Sequence, residues 1–173
     1  FIEGRPLFNM VDEVPEEPYK VPFGKANTVR LGEDVSLVAL GYLVPIALRA
    51  AELVEKEGIS VEVVDLRTIA PLDENSLVES VCKTGRLVVA DPAWRSFGVS
   101  AEISARIGEK CLGSLKAPPD RVTFPDTHSP TSVALEDEFF PDEFHVADAI
   151  RRVIQNNLES KSVKSPSPEI VSP

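Results

Sequence analysis

The sequence predicts a three-layer α/β/α domain on a mostly parallel sheet, and three observations carry that prediction. Short apolar runs and amphipathic stretches alternate four times between residues 35 and 158. The first run, residues 35–40, is too continuous for a half-exposed strand and suits one covered on both faces. Each is followed by a stretch long enough for a helical crossover, so the strands lie parallel with right-handed connections and helices on both faces. A chain of 173 residues, 43% of them hydrophobic, supports one such domain with a real core.

Taken in order, the elements have individual reasons. The chain opens at Phe1 with a strand-like Phe1-Ile2-Glu3 that lacks an obvious beginning and reads as part of a longer protein. Residues 1–27 are expected to form an extended connector from a preceding N-terminal domain. Pro6, Pro15, Pro18 and Pro22 forbid a long helix there, and Glu13, Glu16 and Glu17 keep the segment solvated. Val35-Ser36-Leu37-Val38-Ala39-Leu40 is the first covered strand. Pro45 sits in the first turn of the helix after it, where a missing N–H costs little. Ile46, Leu48, Ala50, Ala51, Leu53 and Val54 mix there with Arg49, Glu52, Glu55 and Lys56, and Gly58 is the expected C-cap.

Val61-Glu62-Val63-Val64-Asp65-Leu66 is the second strand, and the second helix runs from Asp73, a plausible N-cap, to Lys83. Thr84-Gly85 closes it before the third strand, residues 86–90. A third helix over about 99–112, a short fourth strand over 121–124 and a last helix over roughly 142–158 complete the domain, 28–158. That last helix is expected to turn Phe144, Val146, Ala149, Ile150, Val153 and Ile154 inward. Residues 159–173, rich in Ser, Pro and Lys, read as a disordered tail.

Composition excludes several function classes. The charge sum of −10 has the wrong sign for nucleic acid or an anionic membrane surface. No apolar run approaches the 18 or so residues that span a bilayer, and no signal peptide opens the chain. Cys82 and Cys111 both fall inside predicted helices, so a disulfide framework is not expected. With no Cys-x-x-Cys and no His-x-x-x-His, neither is a structural zinc site.

Ligands of such sheets sit beyond the carboxyl ends of the strands, so the loops at 41–42, 67–73, 91–98 and 125–132 are the places to search. They contain neither a Gly-x-Gly-x-x-Gly fingerprint nor a P-loop. Gly32-Glu33-Asp34 does not replace a metal–diphosphate motif, and Asn156-Asn157 lies far away on the last helix. No cofactor-binding, metal or catalytic residue is therefore assigned. Asp126, His128 and Ser129 resemble the members of a hydrolase triad, but such groups meet from separate loops, and no Gly-x-Ser-x-Gly elbow is present. A Pro-stiffened loop whose polar groups satisfy one another is the plainer reading, and His128 alone remains a candidate acid/base or phosphate contact. His145, at a helix start, reads as a solvated surface residue. Trp94 and Arg95 belong to the residue types favoured at interface hot spots; packing against the connector is the alternative. Asp65 and Arg67 are expected to pair structurally. Glu136-Asp137-Glu138 is a solvated face that an interface could use. The interface candidates are Trp94, Arg95, Phe97, Asp120, His128, Glu136 and Asp137.

A set of ordered motifs goes further. Phe1-Ile2-Glu3-Gly4, Val14-Pro15-Glu16-Glu17-Pro18-Tyr19 and Pro22-Phe23-Gly24-Lys25-Ala26 resemble the stretch leading into the C-terminal domain of the beta subunit of 2-oxo acid dehydrogenases. The segments at 63–73, 80–89, 98–103, 117–123 and 125–127 continue the resemblance, which spans about residues 1–158. It implies the transketolase C-terminal domain fold. The implied parent is an α/β heterotetramer that uses thiamine diphosphate and magnesium. It decarboxylates pyruvate or a branched-chain 2-oxo acid and passes the acyl group to a lipoyl arm. The resemblance also implies that the cofactor is held elsewhere, by the alpha subunit and the N-terminal half of the beta subunit. This domain would then serve subunit association and docking to the dihydrolipoyl acyltransferase core, inactive by itself and self-associating. Its compartment would be the cytoplasm, or the mitochondrial matrix in a eukaryote.

The segment 91–98, Lys116 and the loop 127–132 depart from the family's commoner pattern. The C-terminal domain of another transketolase-type enzyme is one alternative, and two readings of other classes stand beside it, a stand-alone ligand-binding α/β module and a hydrolase centred on His128 and Ser129.

Overall fold

The computed structural model describes residues 4–11 and 13–156. The expected first strand segment at 1–3 and the tail at 159–173 lie outside the described residues. A short 3-10 turn, Arg5–Asn9, interrupts the otherwise exposed and irregular connector. The domain then runs β1 (Asn27–Arg30), β2 (Val35–Ala39), α1 (Leu43–Glu55), β3 (Val61–Asp65), α2 (Glu74–Thr84), β4 (Leu87–Trp94), α3 (Val99–Cys111), β5 (Asp120–Phe124), α4 (Val133–Phe139) and α5 (Glu143–Gln155).

Five strands form one sheet in the order β1-β3-β2-β4-β5. All neighbours are parallel except the edge strand β1, which lies antiparallel to β3. The expected mostly parallel sheet is present. β1 was not expected, because Asn27-Thr28-Val29-Arg30 has no apolar run and owes its extended form to the ladder it makes with Asp65, Val64 and Val63.

The alternation of side chains across a strand divides the core into two layers. Val35, Leu37 and Ala39 of β2 join Val61, Val63, Val88 and Ala90 under α1 and α5. Val38 and Leu40 join Val64, Leu66, Leu87 and Val89 under α2 and α3. Continuous apolar runs are thus what two covered faces demand. Two polar residues break those runs on the α2 side, and both are satisfied. Buried Ser36 shares hydroxyl bonds with Ser80 (2.6 Å) and Thr84 (2.8 Å). Buried Glu62 receives Lys83 from the same helix.

Caps fix the helix boundaries. Asp73 caps α2 through Ser76, and Gly85 ends it in the left-handed region at φ 75. Asp142 caps α5 in a capping box with His145. Gly58 is not the cap of α1; Lys56 is, and Gly58 takes its positive φ two residues later. On α5, Val146, Ala147, Ala149, Ile150 and Val153 are buried, whereas Phe144, in the first turn, is exposed and does not turn inward as expected.

Candidate functional site

The carboxyl ends of β4 and β5 are tied together at a corner. β4 continues four residues beyond the expected Ala90, through Asp91-Pro92-Ala93-Trp94, and meets β5 again at Trp94–Phe124 after an irregularity in register. Pro92 lacks the ladder N–H, so the sequence reads this extension as loop. Asp91, buried at the turn, accepts the Ser100 N–H at 2.7 Å and so caps α3 from the strand. Gly98 makes this approach possible. A Cβ there would lie 2.4 Å from the Trp94 carbonyl oxygen and 2.9 Å from the Asp91 carboxylate.

Between Trp94 and Gly98 the chain turns outward. Arg95 N–H donates to Phe124 O at 3.1 Å. The guanidinium of Arg95 reaches Arg121 O at 3.0 Å, and that of Arg121 returns to Arg95 O at 2.9 Å. Trp94 Nε1 donates to Thr127 O at 3.0 Å, which leaves the indole 58% exposed. Phe97 is fully exposed at φ 60, a conformation a bulky side chain rarely takes. Ser96 donates from both N–H (2.9 Å) and Oγ (2.7 Å) to Asp126. Those two bonds, with the nearby Arg95 and Arg121 charges, hold the Asp126 carboxyl below the usual carboxylate range.

Trp94, Ser96, Phe97, Asp126, Thr127 and His128 therefore line one open hollow of about 430 Å³. A second groove of about 350 Å³ has Arg95, Arg121, Phe124, His145 and Arg152 in its wall. Phe124 and Phe139 line it and belong, with Phe140, to an aromatic cluster that no sequence motif marks, with ring centroids 5.0–5.3 Å apart. Phe139 is buried by this contact, and α4 is held to β5 through it. His145 lines that groove while its Nδ1 lies 2.6 Å from Asp142 Oδ1, so it is a helix cap as well as an exposed residue.

The seven interface candidates do not all meet. Trp94, Phe97 and His128 share the hollow, whereas Arg95 lines the second groove. Asp120 sits at the start of β5, beside Val88, and engages Arg152 at 2.7 Å, so it belongs to the opposite end of the strand. Glu136 and Asp137 lie on α4. No triad assembles: Asp126 is committed to Ser96, and Ser129 Oγ points to Pro130 O at 3.4 Å. Asp65 and Arg67 pair as expected, at 3.5 Å. Lys116 donates to Thr84 O at 3.0 Å, spending its charge at the C-terminus of α2.

Comparison with known proteins places these features. The family profile "Transketolase, C-terminal domain" matches residues 24–146. The acetoin:2,6-dichlorophenolindophenol oxidoreductase subunit beta of Cupriavidus necator is 44% identical over 155 residues, covering 90% of this chain and 46% of that protein. The pyruvate dehydrogenase E1 component subunit beta of Bacillus subtilis is 42% identical over 156 residues, again 90% of this chain and 48% of the relative. The chain thus spans about half the length of these curated relatives. Among solved structures, a split gene transketolase described as an inactive beta4 tetramer superposes with a TM-score of 0.72 at 28% identity, over 85% of this chain and 47% of that one.

Proposed function

Because the chain belongs to the transketolase C-terminal domain family, we propose that it is the assembly domain of the beta subunit of a thiamine diphosphate-dependent 2-oxo acid dehydrogenase. The parent enzyme would oxidatively decarboxylate pyruvate or a branched-chain 2-oxo acid and deliver the acyl group to a lipoyl arm. On this reading residues 28–158 would be the domain and 1–27 the connector to an N-terminal domain. Its partners would be that N-terminal domain, the alpha subunit, a second beta subunit and the dihydrolipoyl acyltransferase core, in the cytoplasm or, in a eukaryote, the mitochondrial matrix. Among the described residues no helix is long and apolar enough to cross a membrane.

The observation that carries the reading is the pair of exposed aromatic rings at the corner. Trp94 and Phe97 are presented to solvent by a tight hydrogen-bonded turn, at the cost of a left-handed backbone at Phe97. A strained residue that exposes a large apolar ring stabilises nothing within the chain, and such features accompany recognition sites. The hollow beside them is open and lacks a committed acid–base pair, which suits contact with a protein surface better than chemistry.

The residues present do not fit thiamine diphosphate and magnesium. Asp91 and Asp126 are spent on Ser100 and Ser96. Among the described residues no three His, Cys, Asp or Glu side chains gather to hold a metal ion. The cofactor belongs, on this reading, to the rest of the parent enzyme.

Sedimentation of the purified chain at micromolar concentration tests the proposal. Self-association is expected, and Trp94→Ala with Phe97→Ala should weaken it at least tenfold. A chain that sediments as a monomer, or whose association ignores both substitutions, sinks this surface as the interface. Calorimetric titration with thiamine diphosphate plus magnesium should give no binding heat; saturable heat would overturn the non-catalytic assignment.

A further inference from the structure

The two cysteines of the chain, Cys82 and Cys111, stand on neighbouring helices. Cys82 lies near the end of α2 and is exposed; Cys111 is the last residue of α3 and only 2% exposed. Although 29 positions apart in sequence, their Sγ atoms lie 2.9 Å from one another. Cys111 Sγ has one further polar neighbour, Val78 O at 3.8 Å. Around them are Leu77, Val81 and Ile107, which any small apolar residue would satisfy. Packing therefore accounts for a small residue at each position, while the meeting of two sulfurs, one on an exposed residue and one on a buried residue, has a chemical meaning that packing does not require.

We propose that Cys82 and Cys111 form a reversible thiol–disulfide pair that hydroperoxides oxidise, with Cys82 as the attacking and Cys111 as the resolving residue. The Cys82 sulfur attacks one peroxide oxygen as thiolate. The O–O bond breaks, the other oxygen leaves with a proton as water or an alcohol, and Cys82 becomes a sulfenic acid. The Cys111 sulfur then attacks the Cys82 sulfur. The S–O bond breaks, the hydroxyl departs with the Cys111 proton as water, and the S–S bond forms. Two thiols are oxidised and one hydroperoxide is reduced; a small dithiol reverses the change. Burial, with the neighbouring Cys82, pushes the Cys111 thiol up to about 11, so it is protonated at neutral pH and carries the proton that leaves with the hydroxyl.

The cross-link would join the end of α2 to the end of α3. It closes a loop holding β4 and the whole Trp94–Gly98 corner. Oxidation would thus stiffen the support of the corner without occupying it.

Exposing the reduced, purified full chain to hydrogen peroxide tests this. The intact mass is expected to fall by two hydrogens. Both thiols should vanish from maleimide labelling, no interchain dimer should appear on a non-reducing gel, and dithiothreitol should restore the starting mass. The oxidised form should melt about 5–10 °C higher, because the closed loop restricts the unfolded chain. Cys111→Ser should leave a Cys82 sulfenic acid that dimedone traps, and Cys82→Ser should leave Cys111 unmodified at the same peroxide dose. Overoxidation of Cys82 in the wild type, disulfide dimers between chains, or two thiols still open to maleimide would each overturn the proposal. The wild-type mass decides the matter even where a variant folds poorly.

Discussion

Phe97 shows how one residue can be set against its own backbone. At φ 60 it carries a left-handed cost of about 1–2 kcal/mol, with its ring in solvent. Phe97→Gly removes that cost and loses about 0.4–1 kcal/mol through the more flexible unfolded chain. The variant is therefore expected to melt no lower than the wild type, and up to about 4 °C higher, while associating more weakly. A lower melting temperature, read by calorimetry, would place the ring in the fold's own packing instead. Asp73 is the opposite case, a polar residue whose every bond supports the fold. Burial raises its pKa, but the N–H of Ala26 and both donors of Ser76 outweigh that and hold the carboxyl below its ordinary value. A depressed folded pKa means stability that is full above the unfolded value and lost as pH falls through the folded one. The wild type should thus lose urea resistance below about pH 4 more steeply than Asp73→Asn, which keeps the acceptor without the titration. Equal slopes would show that Asp73 does not hold the connector at Ala26. Sequence made Asp73 legible as a cap, since capping is local. It did not reveal the Ala26 bond, which spans 47 positions.

Among the elements, α4 and β1 are the instructive ones. Val133–Phe139 lies in a segment that reads as loop and acidic face, because Glu136-Asp137-Glu138 separates Phe139 from the apolar residues before it. What makes it a helix with a place is Phe139 against Phe124 and Phe140. Phe139→Ala should cost about 3 kcal/mol if the site behaves as core. The loss is expected to show first as faster amide exchange across α4, with α5 and the central strands unchanged. Uniform acceleration over the whole domain would mean that α4 is integral to the cooperative core. β1 owes its form to β3 in the same way, an edge strand without an apolar run. The central elements needed no such help. β2 is buried along its whole length, and α2, α3 and α5 begin at residues 74, 99 and 143, each within a residue of where their caps and apolar spacing put them.

At the scale of the whole molecule, charge and shape pull against each other. A chain of net charge −10 should repel its own copies, yet it presents Trp94 and Phe97 bare. Self-association through that corner is expected to tighten as ionic strength rises from about 0.01 M to 0.15 M, because screening removes repulsion and leaves apolar contact intact. Association that weakens with salt would instead point to ion pairs, with the Arg95 and Arg121 groove the first place to look. The alternation of buried strands and amphipathic helices, the caps, and the ordered motifs shared with its relatives were decided by the sequence itself. Periodicity and capping are local properties that a chain displays before it folds. The outward turn at Phe97, the reciprocal arginine bonds, the aromatic seat of α4 and the meeting of Cys82 with Cys111 were decided only by tertiary structure. Each depends on two segments far apart in the chain arriving at one point, and the sheet order that brings them there is written in no single stretch of residues.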